Sequence, residues 1–285
     1  MSGPSEQGIS GRTRVVALLG FPVAHSRSPA MHNAAFEALR LEYRYLPFAV
    51  PPARLRDAVK GLRALGVIGA NLTVPHKERV IPWLDELSPE ARLIGAVNTI
   101  VRRGERLIGY NTDAGGFLRA FREDTGATVR GGDFLVLGAG GAARAVVVAL
   151  AMTGARSIAV VNRSAGRAHG LIRRVRSAFP NVLWSAPSAG SLPAARGVRA
   201  VIQCTSVGMH PGDPSPLPRE WLEPRLVVYD LIYHAPTALL RDAKRVGARH
   251  AGGLGMLLHQ GAMAFALWTG RRAPIDVMRR ALEKG

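Results

Sequence analysis

One stretch of the sequence decides the fold, and residues 134–150 read FLVLGAGGAARAVVVAL. The first apolar run has the length of a buried strand, and the Ala- and Val-rich run after the glycines is long enough for a helix. Between them stands G-x-G-x-x-A. Gly138 permits a tight turn, Gly140 lets the backbone approach a pyrophosphate, and Ala143 allows close packing of helix on strand. We therefore predict a dinucleotide-binding turn, with a purely structural tight turn as the alternative.

The strand predicted at residues 157–161 indicates which dinucleotide fits. A site for NAD places Asp or Glu at the end of this strand, where the carboxylate binds a ribose hydroxyl. This chain has Asn162 and Arg163 there, and Arg167 follows one helical turn later. Arginine matches a 2′-phosphate because its planar guanidinium makes charge-assisted hydrogen bonds to phosphate oxygens. We therefore predict NADP(H) as the cofactor; the alternative is two surface arginines in an arginine-rich chain.

The composition excludes several other classes of protein. A length of 285 residues suggests two domains, and no apolar run approaches the roughly 18 residues of a membrane span. Residues 1–12 are polar and lack the apolar centre of a secretory signal. Cys204 is the only cysteine, which excludes an internal disulfide and a cysteine cluster for a metal. We therefore expect a cytoplasmic protein with no metal and no membrane contact.

The formal net charge of +18 also occurs in nucleic-acid-binding proteins. The basic residues of this chain are scattered along its whole length, and only 6% of residues are aromatic. No basic run is interleaved with aromatic side chains. We therefore expect a small-molecule partner and no nucleic acid, with a positive field that steers an anionic substrate and cofactor.

The first third of the chain predicts a parallel sheet of its own. Strands at residues 14–20, 43–50 and 69–75 alternate with helical segments, which implies parallel pairing. Sites in such sheets lie at the carboxyl ends of the strands, where Thr73 and Lys77 fall. A lysine there can act as general acid/base or hold a developing alkoxide. A solvated lysine at a helix start is the alternative.

Two further groups of polar residues adjoin predicted helix starts. Ser26 and Ser28 precede a predicted helix in which Pro29 is the first residue. Their hydroxyls, at the N-terminus of that helix, are suited to bind a substrate carboxylate. The alternative is that Ser28 only caps the helix. A hairpin with Gly104 in its turn is predicted within residues 94–113. Asp113 follows this hairpin and begins a helix. It is therefore either a functional carboxylate or a capping residue.

The second half of the chain alternates strands and helices, which is typical of a Rossmann-like domain. The remaining strands are predicted at residues 181–186, 199–204, 226–231 and 249–253, and the remaining helices at 235–245, 256–269 and 274–283.

These segments together resemble the shikimate dehydrogenase family over nearly the whole chain after residue 12. The strength of the resemblance is that several specific motifs stand in one fixed order. The motifs are HSRSP (25–29), NLTVPHK (71–77), GAVNT (95–99), NTD (111–113), GAGGA (138–142), NRS (162–164) and GLGML (253–257), followed by Gln260.

The resemblance implies a reversible reduction of 3-dehydroshikimate to shikimate by NADPH, a step of aromatic amino-acid biosynthesis. It makes Lys77 and Asp113 the catalytic pair. When the carbonyl carbon accepts hydride, its oxygen must gain a proton, which Lys77 would donate as general acid/base while Asp113 orients it. The substrate-binding residues that the resemblance implies are Ser26, Ser28, Thr73, Lys77, Asn98, Asp113, Tyr233 and Gln260. The cofactor-binding residues that it implies are Gly138, Ala139, Gly140, Gly141, Ala142, Asn162, Arg163, Arg167, Thr205, Met209 and Gly253.

The architecture implied by the family is α/β with two domains. An N-terminal α/β substrate domain spans residues 1–112, and a Rossmann-like NADP domain spans residues 113–247. The C-terminal helices, within residues 248–285, return to the first domain. The family resemblance leaves a monomer and a homodimer as alternatives.

The sequence departs from the family pattern at two places. His76 stands where the family often has Phe, and the segment HAPTA after Tyr233 differs from the usual one and is one residue shorter.

One rival function is that of a quinate/shikimate dehydrogenase, or of a paralogue that acts on another hydroxy acid. The Asn162–Arg163 pair argues against a chiefly quinate-directed, NAD-linked enzyme, and so do Ser26 and Ser28. The other rival is a non-enzymatic module that senses a metabolite, and the intact Lys77 and Asp113 argue against it.

Overall fold

The computed structural model describes residues 8–187 and 197–284. Of residues 1–12, interpreted above as lacking a secretory signal, the first seven lie outside the described residues. The chain divides into two compact units, one formed by Met1–Thr112 with Leu258–Gly285 and the other by Asp113–Leu257. No helix in the described part of the chain is long and apolar enough to cross a bilayer.

The first unit is built on a six-stranded mixed sheet with the strand order β2-β1-β3-β5-β6-β4. Its strands are β1 (Arg14–Gly20), β2 (Tyr43–Ala49), β3 (Gly69–Leu72), β4 (Glu86–Leu87), β5 (Thr99–Arg103) and β6 (Arg106–Tyr110). As predicted, β1 pairs parallel with β2 and with β3. The predicted hairpin is the antiparallel pair β5–β6, and Gly104 in its turn has φ +59°.

The second unit is built on a six-stranded sheet in which every strand pair is parallel. Its strands are β7 (Asp133–Leu137), β8 (Ser157–Val161), β9 (Leu183–Ser185), β10 (Ala200–Gln203), β11 (Val227–Asp230) and β12 (Arg249–Gly252). The strand order is β12-β11-β10-β7-β8-β9. From β7 the chain adds β8 and β9 on one side of the sheet. It then returns to the other side of β7 and adds β10, β11 and β12 there. This reversal point is where doubly wound sheets bind their ligands.

Helices connect the strands in both units. In chain order they are α1 (Ser28–Ala38), α2 (Leu55–Ala64), α3 (His76–Arg79), α4 (Pro89–Ile94), α5 (Asp113–Thr125), α6 (Gly141–Met152), α7 (Ala165–Val175), α8 (Ala238–Arg245), α9 (Leu254–Thr269) and α10 (Ile275–Lys284). In the first unit, α10 packs against α1.

Apolar periodicity explains how the helices attach to the sheets. In α2, Leu55, Val59 and Leu62 are buried at helical spacing and join the core of the first unit. In α6, eight residues are buried, Ala143 among them, so this helix lies close to its sheet. The α/β class with a substrate domain and a Rossmann-type domain is confirmed.

Residues 248–257 belong to the second unit and not to the first, where we had expected them. We expected the chain to return to the first domain from residue 248, but the division falls between Leu257 and Leu258. The physical reason is strand pairing, since β12 adds to the edge of the second sheet with Arg249 opposite Val227 in β11.

Candidate active site

The glycine-rich turn joins β7 to α6. Gly138 has φ +112°, and a Cβ there would lie 3.1 Å from the backbone of Cys204, so both conformation and space require glycine. Gly140 is the N-cap of α6 and makes no side-chain capping bond. Apart from its neighbours in the chain, no atom lies within 4 Å of the position that a Cβ on Gly140 would take. The turn therefore leaves room for a ligand to approach its backbone.

The residues on either side of Gly140 complete this site. Ala139 is buried beneath the turn, and Gly141 and Ala142 are the partly exposed first residues of α6. The first turn of α6 contains no acidic residue. Because the first N–H groups of a helix lack intrahelical partners, an uncapped N-terminus of this kind suits a pyrophosphate.

The end of β8 lies beside the glycine-rich turn, because the Gly138 N–H donates to the Val161 carbonyl at 2.7 Å. Asn162 follows, and its Nδ2 donates to the Ser164 carbonyl at 3.0 Å. Arg163 and Arg167 are both exposed, the second within the first turn of α7. The structure thus places the three residues predicted to bind a 2′-phosphate at the same edge of the sheet as the turn.

The remaining cofactor candidates follow the strands on the other side of β7. Thr205 comes after β10, and its Oγ1 accepts a hydrogen bond from the Val207 N–H at 3.1 Å. Met209 is 40% exposed. Gly253 follows β12, and a Cβ there would overlap the backbone of Leu231. Thr205 and Gly253 therefore lie just beyond the carboxyl ends of β10 and β12.

Tyr233 lies in the segment after β11, and its ring centroid is 4.2 Å from that of His234. Asp230 holds this segment, because its buried carboxylate accepts hydrogen bonds from the Ile232 N–H at 3.0 Å and the Thr237 hydroxyl at 2.7 Å. Burial raises the pKa of Asp230 to about 6, and the two hydrogen bonds oppose this shift. We did not single out Asp230 from the sequence, although a carboxylate that ends an apolar strand was the available signal.

In the first unit, Thr73 and the loop after β1 lie together. The Thr73 N–H donates to the Leu19 carbonyl at 3.0 Å, and a Cβ on Gly20 would overlap the Thr73 methyl group. The loop carries both candidate serines, and the Ser26 Oγ accepts a hydrogen bond from the Ser28 N–H at 3.3 Å.

The predicted N-cap role of Ser28 is wrong. Arg27 occupies the N-cap position, no side chain caps the helix, and Ser28 is the first residue of α1. The reason is that the first helical hydrogen bond already uses the Arg27 carbonyl, which accepts from the Met31 N–H at 3.2 Å. Capping therefore does not account for this buried hydroxyl.

Asn98 is the centre of a buried polar network. Its Nδ2 donates to the Thr112 Oγ1 at 2.9 Å and to the Gln260 Oε1 at 3.2 Å. Its Oδ1 accepts from the Thr112 N–H at 2.8 Å and from the Thr99 hydroxyl at 3.0 Å. The structure therefore brings Asn98 and Gln260 together across the sequence. Thr112, which we had not proposed for the site, belongs to the same network.

Lys77 lies in α3 beside this network, because its carbonyl accepts from the N–H of Val97, the neighbour of Asn98, at 2.8 Å. The preceding residue, His76, is buried, and its Nε2 donates to the Val50 carbonyl at 2.8 Å. Burial lowers the pKa of His76. The departure from Phe at this position thus adds a hydrogen bond that ties the start of α3 to the end of β2.

Asp113 begins α5 and is 3% exposed. It is the first residue of the second unit. The preceding residue, Thr112, belongs to the Asn98 network of the first unit.

The parallel sheet has an uncapped glycine-rich turn, and the first unit carries Lys77 on a helix whose backbone adjoins the Asn98 network. This arrangement is typical of a two-domain oxidoreductase that uses a nicotinamide dinucleotide. The particular family follows from comparison with known proteins. The model of the shikimate dehydrogenase substrate binding domain matches residues 18–100, and that of the shikimate 5'-dehydrogenase C-terminal domain matches residues 253–283. The chain belongs to the shikimate dehydrogenase family.

Full-length relatives support this assignment. Shikimate dehydrogenase (NADP(+)) of Desulforamulus reducens is 48% identical over 281 residues, which covers 97% of each chain. A shikimate dehydrogenase crystallised with NADP+ has a TM-score of 0.91 at 40% identity, with 99% of each chain covered. The enzyme from Thermus thermophilus, crystallised with NADP(H) and shikimate, has a TM-score of 0.85 at 42% identity, covering 95% of this chain and 99% of its own.

Proposed function

We propose that this chain catalyses the reversible reduction of 3-dehydroshikimate to shikimate with NADPH, in aromatic amino-acid biosynthesis. The observation that carries the proposal is 48% identity with an NADP-dependent shikimate dehydrogenase over 97% of the chain. We assign substrate binding to residues 1–112 and the returning C-terminal segment, and NADP binding to the second unit. Because the single cysteine suits a reducing compartment, we also propose that the enzyme acts in the cytoplasm.

The substrate carboxylate is assigned to Ser26 and Ser28. Their hydroxyls belong to a single turn in which the Ser28 N–H binds the Ser26 Oγ, so both can donate to one anion. The ring hydroxyls are assigned to Thr73, Asn98, Asp113 and Gln260, and Tyr233 is assigned a further contact with the substrate. The support for these roles is the family resemblance and, within the first unit, the shared position of Thr73, Asn98 and Gln260.

Substrate binding affects the hydrogen bonds of the Asn98 amide. In the present structure both Nδ2 hydrogens have acceptors, Thr112 and Gln260. A substrate hydroxyl that accepts from this amide would share or replace one of these acceptors. The contact with Gln260, at 3.2 Å, is the longer one, so we propose that Gln260 turns from Asn98 to the substrate.

Lys77 is proposed as the general acid/base. During reduction it donates a proton to the carbonyl oxygen as that oxygen becomes a hydroxyl, and during oxidation it accepts the same proton. Asp113 is proposed to orient the ammonium group and balance its charge. The hydrogen bond from Val97 N–H to the Lys77 carbonyl supports a fixed backbone for this lysine.

The glycine-rich turn fits NADPH, because Gly140 opens onto space that a pyrophosphate can enter and α6 lacks a side-chain cap. NADPH, when bound, supplies the hydride. Gly138, Ala139, Gly140, Gly141 and Ala142 are assigned to the pyrophosphate, and Asn162, Arg163 and Arg167 to the 2′-phosphate. Thr205, Met209 and Gly253 are assigned to the nicotinamide end.

The test is to measure reduction of NADP+ and of NAD+ by the purified protein, with shikimate and with quinate, from the absorbance of the reduced nicotinamide. Turnover with shikimate and NADP+ is expected. A preference for quinate and NAD+ would favour the quinate dehydrogenase alternative and contradict the role of Arg163. Absence of turnover with every pair would favour the non-enzymatic module.

A further inference from the structure

A cavity of about 570 Å³ opens at the amino ends of the strands of the second sheet. Four arginines line it, namely Arg156, Arg199, Arg225 and Arg249, and Asp133 is the one acidic residue among its described lining residues. A cavity of this volume accommodates a small organic ligand. Nothing in the proposed dehydrogenase reaction uses it.

The cavity is separate from the glycine-rich turn. Asp133 begins β7, Arg199 directly precedes β10, and Arg249 begins β12, whereas Gly138 follows the opposite end of β7. Five residues of strand span about 16 Å. A ligand in the cavity therefore lies at the far edge of the sheet from the proposed cofactor site.

Two of the four arginines are neutralised by carboxylates. Arg156 forms an ion pair with Asp133, and its guanidinium holds the pKa of that carboxyl below its usual range. The charge of Arg199 lowers the same pKa to a smaller extent. Arg225 pairs with Glu223 at 2.8 Å. These pairs hold the two guanidinium groups at the cavity without adding net charge.

The other two arginines bind neutral oxygens. Arg199 Nη1 donates to the Thr128 carbonyl at 2.9 Å and to the Arg130 carbonyl at 3.0 Å. Arg249 Nη1 donates to the Thr125 carbonyl at 3.2 Å. Within residues 8–187 and 197–284, neither arginine has an ion pair with a carboxylate. Arg199 and Arg249 are therefore anchored on one short segment, residues 125–130, by neutral oxygens, and Asp133, whose charge acts on Arg199, is already paired with Arg156.

An arginine that is held by carbonyl oxygens keeps its positive charge available for an anion. A guanidinium has five N–H donors in a rigid fork, and the described bonds of Arg199 and Arg249 use only one nitrogen of each. The carbonyls orient the forks without cancelling their charge. An anion bound in the cavity would balance the charge of these arginines and accept hydrogen bonds from their remaining N–H groups.

We propose that this arginine-lined cavity is a binding site for a small phosphate-bearing anion, distinct from the NADP site. Phosphate is favoured over carboxylate because a phosphate group presents several charged oxygens to the two guanidinium groups, which line one cavity and are both held on residues 125–130. Arg199 and Arg249 are its main ligands. Arg225 lies at the cavity as an auxiliary ligand.

The experiment titrates inorganic pyrophosphate into the full chain by calorimetry, in the presence of saturating NADP+ so that the cofactor site is filled. Wild type is expected to bind. Arg249→Gln is expected to weaken binding by at least about tenfold, since it removes charge-assisted hydrogen bonds. Arg225→Gln, which disturbs only an exposed pair with Glu223, should weaken it to a lesser degree. Arg119→Gln, which removes a comparably exposed arginine paired with Glu123 on α5, is the matched control and should bind as wild type does.

Three results would overturn the proposal. The first is no heat of binding with wild type, and the second is equal weakening by Arg119→Gln and Arg249→Gln. The third is binding of citrate but not pyrophosphate, which would contradict the choice of phosphate. Dehydrogenase kinetics measured on Arg225→Gln should match wild type, so failure here is distinguishable from failure of the proposed reaction.

Discussion

Asn98 and Gln260 are joined by a hydrogen bond of 3.2 Å from Nδ2 to Oε1, although 162 residues separate them in the sequence. Asn98 directly precedes β5, and Gln260 lies on α9, so the bond ties the C-terminal segment to the sheet of the first unit. Both side chains are buried. The proposed substrate site is therefore assembled from both ends of the chain.

Removing this bond should affect stability as well as substrate binding. We expect Gln260→Ala to lower the free energy of unfolding by about 1–2 kcal/mol, because a buried amide donor loses its acceptor. We also expect a higher KM for shikimate. Chemical denaturation and steady-state kinetics measure the two effects. Wild-type values for both would show that the bond has neither role.

Lys77→Ala should lower kcat by about 10²–10⁴-fold, the usual contribution of a general acid/base. The fold should be preserved, because Lys77 is only partly buried in the four-residue helix α3. Lys60→Ala, an exposed lysine on α2, is the matched control and should keep wild-type kcat. A near-normal kcat for Lys77→Ala would remove this lysine from the chemistry.

Arg163→Ala should weaken NADPH binding by about 1.5–3 kcal/mol, since it removes a charge-assisted bond to the 2′-phosphate. NADH binding should be unchanged because NADH lacks that phosphate. Arg173→Ala, an exposed arginine in the last turn of α7, serves as the control. Cofactor titrations followed by fluorescence decide between the alternatives, and equal losses for NADPH and NADH would contradict the assignment.

Ser28→Ala and Ser26→Ala should raise the KM for shikimate with little change in kcat, because the carboxylate is remote from the reacting carbonyl. Ser88 provides a contrast, since its side chain caps α4 by accepting from the Ala91 N–H at 3.1 Å. Ser88→Ala should cost about 1 kcal/mol of stability and leave KM unchanged. An unchanged KM in both Ser26→Ala and Ser28→Ala would argue against carboxylate binding by this loop.

His32 should make stability fall in mild acid. It is fully buried, its ring stacks on Tyr45 at 4.5 Å, and burial lowers its pKa from 6.5 to about 3. Between these values the unfolded chain binds the proton and the folded chain does not, so the free energy of unfolding falls as the pH decreases through 6.5. At pH 5 the loss is about 2 kcal/mol.

The variant His32→Phe keeps an aromatic ring on Tyr45 and removes the titration. Its unfolding free energy should therefore fall less steeply between pH 7 and pH 5, as measured by denaturation at each pH. The slope is compared instead of the absolute stability, since the larger ring also changes packing. The exposed His169→Phe should retain the wild-type slope. A wild-type slope in His32→Phe would contradict the prediction.

Local patterns in the sequence were sufficient to predict the strand–turn–helix at residues 134–150 and most strands of both sheets. The reason is that apolar periodicity and glycine placement act over a few residues. The same locality explains the order of cofactor candidates, since each follows the carboxyl end of its own strand. It also explains the error at Ser28, because cap positions depend on the first hydrogen bond of the helix and shift by a residue.

Strand order and long-range contacts decided which side chains from distant parts of the sequence meet. The bond between Asn98 and Gln260 joins positions that are far apart along the chain, and so do the bonds of Arg199 and Arg249 to residues 125–130. Their residue types carry no local pattern that pairs them. Only the folded sheets bring such side chains within hydrogen-bonding distance, because the neighbours of a strand are set by topology and not by sequence separation.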